Sequence, residues 1–249
     1  MARERAAGAP GGSSGKGAPD SPRRAGTDLE VLGGPDPMRG YLALPPSGRG
    51  PGVLVIQEWW GLVDHIRDVA DRLAREGFVA LAPDLYHGDR TDDPDAAGRL
   101  MMDLQIPRAA RDLEAAVDFL IRQVSVTGSG VGAIGFCMGG QLALFAATRS
   151  PRIRAVVDCY GIHPNVRLEP SGLEAAVLGI FAERDQWVPP EAARRLEAEL
   201  RAAGKRATIR IFPGVGHAFM NDSRPDAYDA VAAARAFADA LAFLRAELT

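Results

Sequence analysis

Four residues in this chain have types and settings suited to covalent chemistry: Glu58, Cys137, Asp185 and His217. A thiol needs a base to become a nucleophilic thiolate and an acid to protonate the leaving group. Histidine supplies both near neutral pH, and a carboxylate holds its tautomer. Cys137 lies in Gly135-Phe136-Cys137-Met138-Gly139-Gly140, between the strand-like run 131–134 and the helix-forming run 141–147. This reads as strand, sharp turn, helix. Gly135 and Gly139 carry no Cβ, so the helix can pack close to the strand and the turn can reach a backbone conformation costly to other residues. The start of the helix places partial positive charge beside Cys137, which favours a thiolate. Taken alone, the turn also suits a small buried residue in a Gly-rich connection, so the other three residues must decide.

Asp185 lies in Ala182-Glu183-Arg184-Asp185-Gln186-Trp187-Val188-Pro189, just past one apolar strand pattern, and His217 lies in the Gly-flanked loop 213–219, just past the next. Asp158, at the end of the preceding strand, is the rival acid; Asp185 is favoured. Glu58 ends an apolar strand beside Trp59 and Trp60, where desolvation raises a carboxyl pKa. Of the remaining histidines, His65 reads as a helix-surface residue, and His87 and His163 read as loop residues with at most a binding role. Cys159 reads as a core thiol.

The elements that must position these residues follow from periodicity. Short apolar runs at 29–32 and 40–44, with turn residues at 33–36 between them, predict an opening hairpin. A continuous apolar strand at 53–56 has the character of one buried on both faces of a parallel sheet. The next helix places Ile66, Val69, Ala70 and Leu73 on one face and stops at Gly77. Further strands are expected at 78–82, 153–158, 175–181 and 207–212, with helices from 107 to 121, from 191 to 203 and from 226 to 248. Strands alternating with helices imply a mostly parallel, doubly wound α/β sheet with helices on both faces, binding ligands beyond the carboxyl ends of its strands. Glu58, Cys137, Asp185 and His217 all fall in such loops.

Composition sets the outer bounds. The 249 residues, 47% hydrophobic and 24% charged, suffice for one large core rather than two small ones. Residues 1–27, rich in Gly, Ala, Pro, Ser and Arg, cannot offset the entropy of ordering, which predicts a disordered tail ahead of a single domain at 28–249. A net charge of −3 gives no footprint for nucleic acid or an anionic membrane surface. Two cysteines are too few for a disulfide framework, and neither a bilayer-length apolar run nor a secretory signal is visible, so a cytoplasmic location is expected.

Five segments together carry a resemblance: Gln57-Glu58-Trp59-Trp60-Gly61, Ala82-Pro83-Asp84-Leu85-Tyr86, the Cys137 turn, Asp185, and Gly216-His217-Ala218-Phe219. In this order they resemble the dienelactone hydrolase (carboxymethylenebutenolidase) family. The Cys137 turn is similar to the G-x-S-x-G nucleophile elbow of the α/β-hydrolase superfamily, and the order nucleophile, acid, histidine is the superfamily's. The resemblance implies an α/β-hydrolase fold and a Cys137–His217–Asp185 triad that opens lactones and related esters through an acyl-enzyme without cofactor or metal. It also implies that Glu58 helps deprotonate the cysteine, and that the backbone N–H groups of Trp59 and Met138 form an oxyanion hole. Trp60, Tyr86, Arg90, Trp187 and Phe219, in or beside these segments, are candidates for contacting substrate. The chain departs from the founding enzymes where they grip a substrate carboxylate. Positions matching their serine and two arginines hold Ala218, Asn221 and the stretch His87-Gly88-Asp89-Arg90, so Arg90 or Arg224 would have to take over.

The expected partner is a small ester or lactone, with no nucleic acid or membrane, on a monomer or weak homodimer. Two alternatives stay open: a carboxylesterase of different range, and a redox-active thiol using Cys137 with no obvious resolving partner. An early G-x-G-x-x-G that would suggest a dinucleotide site is absent.

Overall fold

The computed structural model describes residues 25–31 and 37–249. Most of the predicted tail, and the expected hairpin turn at 33–36, lie outside these residues. Eight strands form one sheet in the order β1-β2-β4-β3-β5-β6-β7-β8. Strands β1 (Gly26–Val31) and β2 (Met38–Ala43) make the expected antiparallel hairpin. β1 begins inside the stretch assigned to the tail, because the Gly26 N–H donates to the Tyr41 hydroxyl at 2.8 Å and ties that end down. β2 pairs antiparallel with β4 (Val79–Pro83), and every later pairing is parallel.

The central strand β3 (Gly50–Ile56) lies between β4 and β5 (Val126–Phe136). From β3 the chain moves first to one side, to β4, and then back across to β5, β6 (Ile153–Cys159), β7 (Ala176–Ala182) and β8 (Ala207–Phe212). This reversal of winding leaves a crevice beyond the ends of β3 and β5, where Ile56 lies opposite Gly135. Glu58 follows the first of these strands and Cys137 the second.

Both faces of the sheet are covered, which explains the unbroken apolar runs. Alternation sends Val53 and Val55 to a core shared with helix α1 (Asp64–Arg75) and the last helix. Leu54 and Ile56 point the other way, toward α3 (Ile106–Ile121) and α4 (Met138–Arg149). Helix α5 (Pro190–Ala202) covers β7 and β8. The last helix, α6 (Ala230–Leu248), starts four residues later than expected, because Asp229 caps it by accepting the Val231 and Ala232 N–H groups at 3.1 and 2.8 Å. Among the described residues no helix is long and apolar enough to cross a membrane.

One helix was not expected. α2 (Pro94–Asp103) begins with Asp93 as its cap, accepting the Ala96 N–H at 2.8 Å, and Pro94 in its first turn. The Asp93-Pro94 pair is a start signal legible in the sequence. Only Ala97 is fully buried, so the helix lacks the apolar stripe that periodicity detects.

Candidate active site

The Cys137 turn is built by close approach. Cys137 has φ 54° and ψ −124°, outside the regions favoured by side-chain-bearing residues. A Cβ on Gly135 would collide with the Gly139 carbonyl, and one on Gly139 with the carbonyls of Ile56 and Gln57, so only glycine lets strand and helix meet here. The strain is held by the ladder: the Cys137 N–H donates to the Cys159 carbonyl at 3.0 Å, and the Cys137 carbonyl accepts from Gly140 and Ile162 at 2.9 and 3.2 Å. Tyr160 and Ala218 also have positive φ. Three of the four described non-glycine residues with such backbone therefore border one site, the fourth being His87.

His217 reaches Cys137 on one side and Asp185 on the other, with Nδ1 at 2.8 Å from Asp185 Oδ2. The other oxygen, Oδ1, accepts the N–H groups of Trp187 and Val188 at 2.8 and 2.9 Å. Asp185 is buried, yet both of its oxygens meet donors. Burial alone would lower the His217 pKa, but the hydrogen bonds from Asp185 and Cys137 and their negative charge outweigh it and push it to about 10. This setting favours the protonated imidazole. Asp158, the rival acid, is buried one strand away. Burial raises its pKa to about 7, offset only in part by the Gly161 N–H, and neither of its oxygens has a side-chain or well-aligned backbone partner among the described residues.

Glu58 is buried behind the same crevice. Its Oε2 accepts from Asn221 Nδ2 at 2.5 Å. The orientation of that amide is fixed, because Asn221 Oδ1 accepts from the Ser223 N–H and hydroxyl at 3.0 and 2.6 Å. Burial pushes the Glu58 pKa up, as expected from its place beside the tryptophans; His65, His217, Asn221 and Arg224 pull it back part of the way.

These groups open onto a cavity of about 660 Å³, whose lining includes Glu58, Cys137 and His217. Its walls are apolar: Trp59, Trp60 and Trp187, with Met101, Ile162, Pro164 and Pro225. Trp59 meets Trp60 and Trp187 edge-on at ring separations of 5.0 and 5.6 Å. Arg224 lays its guanidinium over Trp60, 3.5 Å from the ring centre, so a cation stands against these apolar walls.

Not every sequence candidate reaches the cavity. Trp59, Trp60 and Trp187 line it. Met138 starts α4 directly after Cys137, with its side chain buried. Tyr86 instead points its hydroxyl at Met138 Sδ, 3.2 Å away, and supports the elbow from below. Phe219 is fully buried behind His217, its ring 5.8 Å from Tyr160 and 5.3 Å from Phe212. Arg90 lines a different, polar cavity with Asp28, Arg39, Arg67 and Asp84, because the turn after Tyr86 folds back so that Thr91 N–H bonds the Trp60 carbonyl at 3.1 Å. Arg224 is the arginine at the site. His65, expected on a helix surface, is buried, its Nδ1 3.0 Å from Asp222 Oδ1. Helix periodicity placed it next to Ile66 but could not see that the loop after His217 would cover it. Pro94 and Met101 of α2 line the cavity with Ile162, Pro164 and Pro225, and Asn221 meets Glu58; residue patterns revealed none of these roles.

The model of the dienelactone hydrolase family matches residues 38–248. The chain is 37% identical to protein usf of Aquifex pyrophilus over 219 residues, covering 85% of this chain and 94% of that one. It is 35% identical over 218 residues to an Aquifex aeolicus protein provisionally named carboxymethylenebutenolidase, with the same coverage. A solved dienelactone hydrolase-like promiscuous phosphotriesterase from metagenomic libraries superposes with a TM-score of 0.81 at 26% identity, covering 90% of this chain and 98% of its own. With the family match over residues 38–248 laid over a Cys–His–Asp array at the crevice of a mostly parallel sheet, the chain belongs to the dienelactone hydrolase family and has the α/β-hydrolase fold.

Proposed function

We propose that the protein hydrolyses carboxylic esters and lactones through an acyl-enzyme on Cys137. The observation that carries this reading is the hydrogen-bonded chain Cys137–His217–Asp185 opening onto the apolar cavity. The Cys137 thiolate attacks the carbonyl carbon, and the C–O bond to the leaving alcohol breaks. The His217 imidazolium gives its proton to that alkoxide. Neutral His217 then takes a proton from water, whose oxygen attacks the thioester, releasing the acid and restoring the thiolate–imidazolium pair. In a lactone both products stay in one molecule. Asp185 keeps the ring oriented with Nδ1–H directed at itself and Nε2 toward the thiol. The N–H groups of Trp59 and Met138, on either side of the crevice, are the donors for the oxyanion. Glu58 serves as the second base: as substrate binds it takes the proton of the Cys137 thiol and passes it to His217, producing the thiolate–imidazolium pair that attacks.

The tryptophan-rich wall and single stacked arginine support esters with a flat apolar body over small polar ones. The test uses a slowly deacylating p-nitrophenyl ester. Mass spectrometry is expected to find one acyl group on the Cys137 peptide, and Cys137→Ala is expected to lose both the adduct and turnover. Near wild-type hydrolysis by folded Cys137→Ala would overturn the reading.

A further inference from the structure

Helix α2 turns an apolar face to the active-site cavity. The two α2 residues that line it, Pro94 and Met101, carry no hydrogen-bond donor, and Gly98 lies between them at helical spacing, so 94, 98 and 101 share one face. A Cβ on Gly98 would come within 4.0 Å of one atom of the Trp59 ring and of nothing else outside its own helix among the described residues, so this face looks onto the tryptophan wall without interlocking with it. The helix is lightly held. Among the described residues it has no extended packing along any strand or other helix, and Ala97 is its one fully buried residue. Leu100 and Met101 rest against the core beneath α3 and α4, where Trp59 also packs. At the entry to α2 the Arg224 guanidinium, lying over Trp60, reaches the Asp92 carbonyl at 3.4 Å, so the loop after His217 and the start of the helix meet at the cavity.

We propose that α2 is a specificity wall, and that the preferred substrate is an ester with an extended apolar arm whose far end packs on Met101 and Pro94. The proposal deepens, and rests on, the reading of ester hydrolysis at Cys137. A cavity of about 660 Å³ falls within the roughly 300–1,000 Å³ that encloses a drug-sized molecule, far more than a reacting ester group needs. Glu58, Cys137 and His217 take up only part of its lining, and the α2 wall is left to read the rest of the substrate. An arm that reaches this wall leaves water for apolar surface, which is worth about a factor of three to four per methylene. That gain is made away from the carbonyl and is equal in the ground and transition states, so it falls on KM more than on kcat. Methionine is unbranched and adapts to neighbours of differing shape, so Met101 selects for apolar length rather than for one outline.

The experiment measures kcat and KM of the full-length protein for ethyl acetate, ethyl hexanoate and hexyl acetate by pH-stat titration. One of the two long esters is expected to exceed ethyl acetate in kcat/KM by about tenfold or more, mainly through KM, and which one does so tells whether the arm is acyl or alcohol. Met101→Glu is expected to lower that ratio about tenfold, and Met101→Leu to keep it. Pro94→Glu, at an exposed first-turn position where an acid suits the helix, is expected to lower it in the same direction and decides the matter if Met101→Glu does not fold. Monoethyl adipate, the hexanoate arm ended by a carboxylate, is expected to be poorer than ethyl hexanoate; a preference for it would overturn the apolar arm in favour of a charged one. A ratio near one for both long esters, or a ratio that the glutamate variants leave unchanged, would overturn the role of α2. The two readings fail separately. A flat chain-length profile with turnover that still depends on Cys137 overturns only the α2 wall, whereas turnover that survives in folded Cys137→Ala overturns the hydrolytic mechanism on which it rests.

Discussion

Asp158 and Asp185 are both acidic, both nearly inaccessible to water, and both at the carboxyl ends of neighbouring strands, yet the fold treats them in opposite ways. Asp185 lies past the end of β7, in a loop whose next two N–H groups turn back onto its Oδ1 while His217 meets Oδ2. Asp158 lies within β6, level with Gly135 on one side and Gly179 on the other. Strand N–H groups run in the plane of the sheet, toward neighbouring strands, so a side chain standing off that plane finds few donors. Its carboxyl instead packs against the positions where Gly140 and Gly161 lack a Cβ. The lesson is that donor supply, more than depth, decides which buried carboxyl can remain an anion.

The largest test of this contrast is catalytic. Asp185→Asn is expected to lower kcat by about four decades, since the orienting carboxylate of such a triad is worth that much, while Asp158→Asn should stay within a few-fold of wild type. Steady-state kinetics on both variants measures it; reversed effects would move the acid to β6.

A second test concerns stability. The Asp158 pKa is raised from its ordinary 3.8 to about 7, so its contribution is fully present below pH 3.8 and is lost as pH rises toward 7. Asp158→Asn removes that dependence. The stability of the variant relative to wild type is therefore expected to rise between pH 4 and pH 8, by about 2–4 kcal/mol. Urea unfolding at the two pH values reads the difference; a constant difference would mean that Asp158 is not titrating in that window.

The smallest effect sharpens the geometric half of the comparison. A Cβ at Gly140 would strike Asp158 Oδ1, so Gly140→Ala is expected to cost about 1–3 kcal/mol. In an Asp158→Ala background the cost should be smaller. A thermal-unfolding double-mutant cycle that gives no coupling would show the clash to be with backbone alone.

Much of this site was legible from residue types. The strand–turn–helix character of 131–147 fixes where Cys137 must stand, because its glycines are the only residues that allow the close approach found between α4 and the end of β3. The histidine after the last strand and the acid after the one before it follow from chain order. What stayed hidden was carried by contacts distant in sequence. The Asn221–Glu58 hydrogen bond spans 163 residues and the His65–Asp222 pair spans 157, and no local period encodes either. Arg90 and Arg224 looked equivalent as cations in loops. Only the backfolding of the turn after Tyr86 sends the first to another cavity and leaves the second over Trp60.

The sequence by itself determined the alternation of strands and helices, the buried character of the central strands, the thiol at the elbow and the order of its partners. Those properties depend on side-chain chemistry within a few residues, where periodicity and steric limits act directly. The tertiary structure alone decided which arginine lines the cavity, that Asn221 reaches Glu58, and that His65 lies inside under Asp222. Those outcomes depend on how the turn after Tyr86 and the loop from His217 to Arg224 lie across helices and strands made elsewhere in the chain.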